Sequence, residues 1–300
     1  MTVSSFHQFG GHGSTITNLC LGLDKLGYET AIASYSFDKK LPEQIKKIKL
    51  NKLRGLTTKE FDYDLIHNHH PLMNYHSLFT AKPFIFHLHG ASNKIQEMNL
   101  KISLALCQQK IKGVISISNT VSSQIHGIAS QIPRMTITLG VDSSYFHPNI
   151  ETDYKIGEPQ LFFVGVLFPH KNIENLVNFM PKILNEFPNA HLQIAGIGPS
   201  FENIKSKIQK LGLNKNVQLL GRISNEELRE RFAACDIYVS PSMHEMLDLP
   251  AIEVMGCAKP VLLSNISAHI ELIQKTKAGK IFQINSSKDF IKKLKEADHA

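Results

Sequence analysis

Short apolar runs alternate along the chain with longer stretches in which apolar residues return every third or fourth position. The first rhythm is that of buried parallel strands and the second that of amphipathic helices. In the first half the pattern predicts strands over 2–6, 30–35, 64–67, 84–89, 113–117 and 135–139. A helix is predicted over 14–26, with Ile16, Leu19, Cys20, Leu23 and Leu26 on one face and Gly27 as its stop. The pattern restarts near Gly157, with strands over 161–164, 191–195, 217–220, 236–240, 261–264 and 280–282. Helices are predicted over 173–187 and 201–211, and a third runs to 234 from a capping box of Ser224 and Glu227.

Strands that alternate with helices form parallel sheets covered by helices on both faces. The expected fold is therefore α/β, with two Rossmann-like domains facing one another across a cleft. Residues 1–150 form the first domain and 151–300 the second, joined near 148–159. In such sheets ligands bind beyond the carboxyl ends of the strands, so functional residues are sought just after them.

Composition narrows the class. The 42% hydrophobic and 20% charged residues are those of a globular chain whose halves each bury a core without metal or disulfide support. The start, MTVSSFHQFGGHGST, has no basic stretch leading into an apolar run, and no apolar segment is long enough to span a bilayer. Cys20, Cys107, Cys235 and Cys257 are widely spaced and are expected to be buried, reduced thiols. Together these features suggest a cytoplasmic protein.

The net charge is +7, much of it from Lys39, Lys40, Lys46, Lys47, Lys49, Lys52, Arg54 and Lys59. A basic face there could meet an anionic membrane, giving a peripheral location. The plainer reading is a solvated, lysine-rich helix face. No aromatic residues are interleaved for base stacking, which argues against nucleic acid.

The chemistry concentrates in PSMHEMLDLPAIEVMGCAKPV, residues 241–261, after the strand over 236–240. Glu245 falls in the loop at the end of that strand. Pro250 suits the first turn of a helix, and Glu253, eight positions beyond Glu245, is expected in the same turn. A carboxylate accepts hydrogen bonds from vicinal hydroxyls, and a helix N-terminus offers N–H groups and a positive dipole end to phosphate. That is the chemistry of a sugar-nucleotide pocket. On spacing alone, Glu253 could equally complement the helix dipole and Glu245 be a solvated loop residue.

Histidines form a second concentration. His87 and His89, two apart, share one face of a strand. His67, His69 and His70 raise a metal alternative, although no carboxylate or thiolate partner accompanies them.

The E-x7-E run, with Leu-Pro before its second Glu and Gly-x-x-Lys-Pro after it, resembles the GT-B fold retaining glycosyltransferases of family 4. FFVGVLFPHKNIENLV (162–177), IAGIGPS (194–200), NVQLLGRISNEEL (216–228) and AACDIYVSPS (233–242) fall in the family's order. So do GGHGS (10–14), DLIHNH (64–69), FHLHG (86–90) and LGVDSSYFHP (139–148) in the amino half.

The resemblance implies metal-independent, cofactor-free transfer of a hexosyl group from a nucleotide diphosphate sugar to a hydroxyl of a lipid, polysaccharide or small molecule. The first domain would serve the acceptor and the second the donor. At matching positions, Glu245 would contact the sugar hydroxyls, Glu253 would hold the ribose, and Lys171 would meet the diphosphate. Gly10 and Gly11 would let the first loop approach the donor, Leu249 belongs to the same donor-binding set, and His89 would lie near sugar and acceptor.

The chain departs from the family in two places. Val166 stands where the family usually has an arginine that pairs with the diphosphate lysine, and His170 is a weaker substitute for that cation. Met246, Leu247 and Asp248 replace the Gly-Phe-Gly after the first Glu, and Asp248 is expected to add negative charge near the phosphates. These residues carry the alternative reading, a degenerate GT-B protein acting as a binding or scaffold module. A nicotinamide-dependent dehydrogenase is disfavoured, because Gly196-Ile197-Gly198 lacks the third glycine of a dinucleotide fingerprint and Gly10-Gly11-His12-Gly13 has the wrong spacing.

Overall fold

A computed structural model describes residues 1–3, 11–37, 41–50, 63–91 and 93–298. The chain divides into two units, Met1–Leu139 and Gly140–Ala300.

The first unit runs β1 (Thr2–Val3), α1 (Gly11–Lys25), β2 (Ala31–Ser34), β3 (Lys46–Lys49), β4 (Ile66–Asn68), a 3-10 helix (Pro71–Phe79) and β5 (Phe84–Leu88). It continues through α2 (Lys94–Cys107), β6 (Ile111–Ser116), α3 (Asn119–Ser123) and β7 (Arg134–Thr136). Among the described residues its strands pair in parallel in the order β3-β2-β1-β4-β5-β6-β7. All four residues of β2 are buried, as expected of a strand covered on both faces.

The lysine-rich segment is not a helix face where it is described. Lys46, Lys47 and Lys49 lie exposed on edge strand β3, with only Ile48 turned inward. Lysines on an edge discourage pairing with another sheet, which explains their density there. Lys39, Lys40, Lys52, Arg54 and Lys59 lie outside the described residues.

The second unit contains β8 (Gln160–Val164), a 3-10 turn (Pro169–Lys171), α4 (Ile173–Glu186), β9 (His191–Ala195), α5 (Phe201–Lys210), β10 (Val217–Gly221) and α6 (Asn225–Ala234). Then come β11 (Ile237–Ser240), α7 (Leu249–Gly256), β12 (Val261–Ser264), α8 (Ser267–Thr276), β13 (Gly279–Phe282) and α9 (Ser287–Asp298). The parallel order β10-β9-β8-β11-β12-β13 is the doubly wound one, with its reversal between β8 and β11.

The core is built as the periodicity predicts. Ile173, Leu176, Val177, Met180 and Ile183 of α4 are buried against Leu161, Phe163, Leu192 and Ile194 of the sheet. Ser224 caps α6 by accepting from the Glu227 N–H at 3.1 Å, while the Glu227 carboxylate turns to Arg231 at 2.8 Å instead of returning to Ser224. All four cysteines are buried free thiols. Among the described residues no helix is long and apolar enough to cross a membrane.

Candidate active site

In a doubly wound sheet the order reversal leaves a crevice beyond the carboxyl ends of the two diverging strands. In the second unit these are β8 and β11, and the loops that follow them carry Lys171 and Glu245. Lys171 Nζ lies 2.5 Å from Glu245 Oε1, with the two side chains 19% and 11% exposed. Two further bonds hold the loops together: Met243 N–H donates to His170 O at 2.8 Å, and Asn172 Nδ2 donates to Pro241 O at 3.1 Å. Asn172 also takes the left-handed backbone (φ 58°) that turns the chain from the 3-10 turn into α4.

The glycines of IAGIGPS are explained by loop packing. Gly196 has φ +127°, and a Cβ there would sit 1.9 Å from Gly165 O. A Cβ on Gly198 would meet the Leu167 backbone at 2.6–2.8 Å. The loop after β9 thus lies directly on the loop after β8, bonded through Leu167 N–H to Ile197 O at 3.0 Å and Ser200 N–H to Leu167 O at 2.8 Å. This packing fixes the backbone that presents Lys171.

Two expectations about α7 are corrected. The helix opens at Leu249 with Asp248 as its N-cap and Pro250 in its first turn, so Glu253 is its fifth residue and lies beyond that turn. Asp248, expected near the phosphates, is 4% exposed and turned into the protein. Its Oδ1 accepts from the Ala251 N–H and from the Tyr238 hydroxyl, both at 3.3 Å. Its Oδ2 accepts from His269 Nε2 at 3.2 Å.

The other ring nitrogen, Nδ1, faces Ser264 Oγ and the Ser264 carbonyl at 3.1 Å, while that hydroxyl lies 2.5 Å from Ser242 O. A carbonyl only accepts, so Nδ1 donates on that side, and Nε2 meets the Asp248 carboxylate. Burial by itself would raise the Asp248 carboxyl, but the His269 bond and charge, with Lys171 beyond, hold it below the usual carboxylate range. Serine, histidine and aspartate here form a buried brace, with His269 0% exposed.

Glu253 is half-buried. Burial, and then the negative charge of Asp248, push its carboxyl up to about 7. Asp248 also occupies the Ala251 N–H, and Pro250 has none, so the helix start offers fewer N–H groups than expected. Leu249 is the first residue of the helix, so its N–H has no acceptor within the helix. Val166 is 52% exposed. His170 adds no compensating charge, since partial burial and then the adjacent Lys171 lower its pKa from an already near-neutral value. A polar cavity of about 330 Å³ lies beside the 3-10 turn, lined by Asn172, Asn175, Lys207 and Asn285 among others, but by none of Lys171, Glu245, Leu249 or Glu253.

In the first unit Gly10 lies outside the described residues, and Gly11 is the first residue of α1. His89 follows β5 and is half-buried, with Nε2 2.9 Å from His69 Nδ1. The rings of His87 and His89 stack at 4.7 Å, as two residues on one strand face should. His70 leaves the expected histidine trio: it caps the 3-10 helix, accepting from Leu72 N–H at 3.3 Å. His87 takes its place beside His67 and His69. Burial, and then His87, hold His67 down at about 3.

Sequence reasoning missed the partnership of Asp248 with His269. An Asp immediately before Leu-Pro was a readable N-cap signal. Nothing in the spacing announced a histidine 21 residues later.

Comparison with known proteins gives these features a family. The glycosyl transferases group 1 profile matches residues 149–299. An uncharacterized glycosyltransferase of Methanocaldococcus jannaschii is 24% identical over 88% of this chain and 79% of its own length. The phosphatidylinositol N-acetylglucosaminyltransferase GPI3 subunit of Saccharomyces cerevisiae is 24% identical over 68% of this chain, which spans only 47% of that protein. Among solved structures, Anabaena HepE in complex with UDP superposes with TM-score 0.79 at 16% identity, covering 99% of this chain and 89% of HepE. HepE in complex with UDP-glucose gives TM-score 0.76 at 17% identity over the same shares. These likenesses show the fold, α/β with parallel sheets as in the GT-B glycosyltransferases. With its profile match spanning the β8–β11 site, the chain belongs to the glycosyl transferases group 1 family.

Proposed function

We propose that this glycosyltransferase moves a hexosyl group from a nucleotide diphosphate sugar to a hydroxyl acceptor, with retention, as a family 4 enzyme. The observation that carries the reading is the Lys171–Glu245 pair at the order reversal of the second sheet. A cation and a carboxylate held there suit a ligand that bears both phosphates and hydroxyls. HepE, of the same fold, is described in complex with UDP-glucose.

Transfer breaks the bond between the anomeric carbon and the diphosphate oxygen, forms one to the acceptor oxygen, and passes the acceptor's hydroxyl proton to the departing diphosphate. Negative charge grows on the leaving diphosphate, and positive charge develops on the sugar. Lys171 and the Leu249 N–H would stabilise the first, with electrostatics as the main lever. Glu245 would accept from sugar hydroxyls, Glu253 from the ribose, and Gly10 and Gly11 would admit the donor. His89 would position sugar and acceptor. Residues 1–150 would serve the acceptor and 151–300 the donor, and the reaction would need no metal.

The exposed lysines of β3 support peripheral contact with an anionic, cytoplasmic membrane face. The name of the GPI3 relative, which includes phosphatidylinositol, makes a lipid acceptor the first to try.

A second reading, a degenerate module that binds without turnover, rests on Val166 and on the side chains of Met246 and Leu247, because the Asp248 carboxylate is turned into the protein. Calorimetry and thermal shift against UDP-, GDP- and ADP-sugars, followed by radiolabel transfer to lipid and soluble acceptors, test the proposal. Saturable donor binding with transfer is expected. No response at millimolar donor would leave the degenerate module as the better account.

A further inference from the structure

The histidines of the first unit are arranged more closely than positioning one catalytic ring requires. His67 lies on β4, His69 immediately follows it, and His87 lies on the adjacent strand β5. The parallel register pairs His67 with Ile85 and Asn68 with Phe86, so one further step sets His69 against His87. Residues two apart share a face, which puts all three imidazoles on the same side of the sheet at its carboxyl edge. Their ring centroids form a nearly equilateral triangle of 4.5, 5.0 and 5.2 Å. One ligand nitrogen from each lies within 4.8 Å of the others.

These distances match a three-histidine metal centre. With metal–nitrogen bonds of about 2.0–2.1 Å, each ring centroid sits roughly 3.2 Å from the ion, and tetrahedral directions then separate the centroids by about 5.2 Å. The rings of His67 and His87 are now stacked, 8° from parallel. Loading requires them to rotate until their nitrogens converge, with little movement of the centroids. His69 and His87 are buried, and His67 is half-buried with an enclosed Nε2 that has no hydrogen-bond partner among the described residues.

We propose that His67, His69 and His87 bind a borderline-soft divalent transition ion of the zinc class, a property separate from donor binding and independent of the reading above. Three imidazoles without a carboxylate favour zinc, cobalt, nickel or copper over magnesium and calcium, which require oxygen ligands. Three protein ligands leave the fourth position for water or an anionic atom. His69 would coordinate through Nε2, because its Nδ1 faces His89 Nε2 at 2.9 Å. Metal on Nε2 places the proton on Nδ1, so His69 donates to His89 and fixes that ring's tautomer. The ion would thereby set the orientation of the His89 ring.

The test uses the full chain, stripped of metal and titrated with zinc chloride by calorimetry and by dialysis with elemental analysis. One zinc per chain is expected, with no uptake of magnesium, and X-ray absorption of the loaded protein should count three imidazoles. His67→Gln and His87→Gln should each weaken zinc binding by more than about 100-fold, beyond the 10–100-fold typical of outer-shell changes, while His70→Gln leaves it unchanged. Failure to bind zinc at millimolar concentration would overturn the proposal. So would fewer than two imidazoles by absorption, or equal affinity in His70→Gln and His67→Gln. The absorption count is made on the wild-type chain, so it stands even if a variant does not fold.

Discussion

Lys171 Nζ and Glu245 Oε1, 74 residues apart in sequence, lie 2.5 Å from each other where the second sheet reverses its strand order. Each holds the other's charge in a largely buried position, and each is proposed to contact a different part of the donor. Donor binding would then exchange this contact for two new ones, so the pair keeps two charged groups in place until a ligand arrives.

That exchange predicts an asymmetry between stability and activity. Lys171→Ala and Glu245→Ala should each lower unfolding free energy by about 1–3 kcal/mol, because each leaves a partly buried charge unpaired. The double variant should lose less than the sum of the two. Transfer efficiency, kcat/KM, should fall by about 10²–10³ in either single variant. Urea denaturation and donor kinetics on the four proteins of the cycle measure both effects. Additive stability losses would show that the pair is not coupled.

Asp248→Gly restores the residue that the family resemblance leads one to expect, yet it should harm the protein. It strips the Ala251 cap, the Tyr238 hydroxyl acceptor and the buried partner of His269 Nε2. A loss of about 3–5 kcal/mol is expected, with no gain in donor affinity. The Asp248 carboxyl is held low in the folded state, so its stabilisation is present above the ordinary carboxylate pKa of about 4. It is lost as pH falls through the lowered value. Urea midpoints from pH 3 to 7 should therefore show a flatter acid limb for Asp248→Gly than for the wild type. A tighter-binding, equally stable variant would mean that Asp248 faces the donor after all.

How far the site could be read ahead depended on how local each feature is. The strands, the α4 face and the Ser224 cap rest on neighbours within a few residues, and the periodicity exposes them. The loop carrying Lys171 was legible because it follows a strand. Its partner was not, since the 74-residue closure to Glu245 depends on strand order rather than composition. Asp248 was misread for the same reason: its charge is visible in sequence, but the buried His269 that bonds to it is not. The lysines of β3 misled through abundance, because a charged edge strand of four residues carries too few apolar positions to show alternation.

Glu253 should make donor binding pH-dependent near neutrality. Its carboxyl is raised to about 7 in the folded chain, against an ordinary glutamate value near 4.3. Between those values the unfolded chain is ionised and the folded one protonated, so this group's contribution to stability falls as pH rises through the window. Relative to Glu253→Gln, the wild type should lose on the order of 2 kcal/mol between pH 4.5 and 7.5, after allowance for partial exposure. If the ionised carboxylate holds the ribose, nucleotide affinity should rise over the same upper range in the wild type only. Thermal unfolding and calorimetry with UDP at pH 5.5, 6.5 and 7.5 read both effects. Parallel profiles for the two proteins would remove Glu253 from the nucleotide site.

Val166→Arg tests the departure at the diphosphate cation. Val166 is 52% exposed on the loop after β8, so a longer side chain meets no packed neighbour and folding stability should change by less than about 0.5 kcal/mol. A guanidinium supplies a permanent charge and bidentate donors suited to phosphate, which His170, neutral at pH 7, does not. An added charge-assisted contact of about 1–2 kcal/mol corresponds to a five- to thirtyfold gain in affinity for a nucleotide diphosphate. The gain should shrink with added salt, and it should vanish in the Lys171→Ala background if the two cations clamp the same phosphates. Calorimetry with UDP and GDP on the wild type, Val166→Arg, Lys171→Ala and the double variant resolves these outcomes. Unchanged affinity in Val166→Arg would place the diphosphate away from this loop, and the donor role of Lys171 would fall with it.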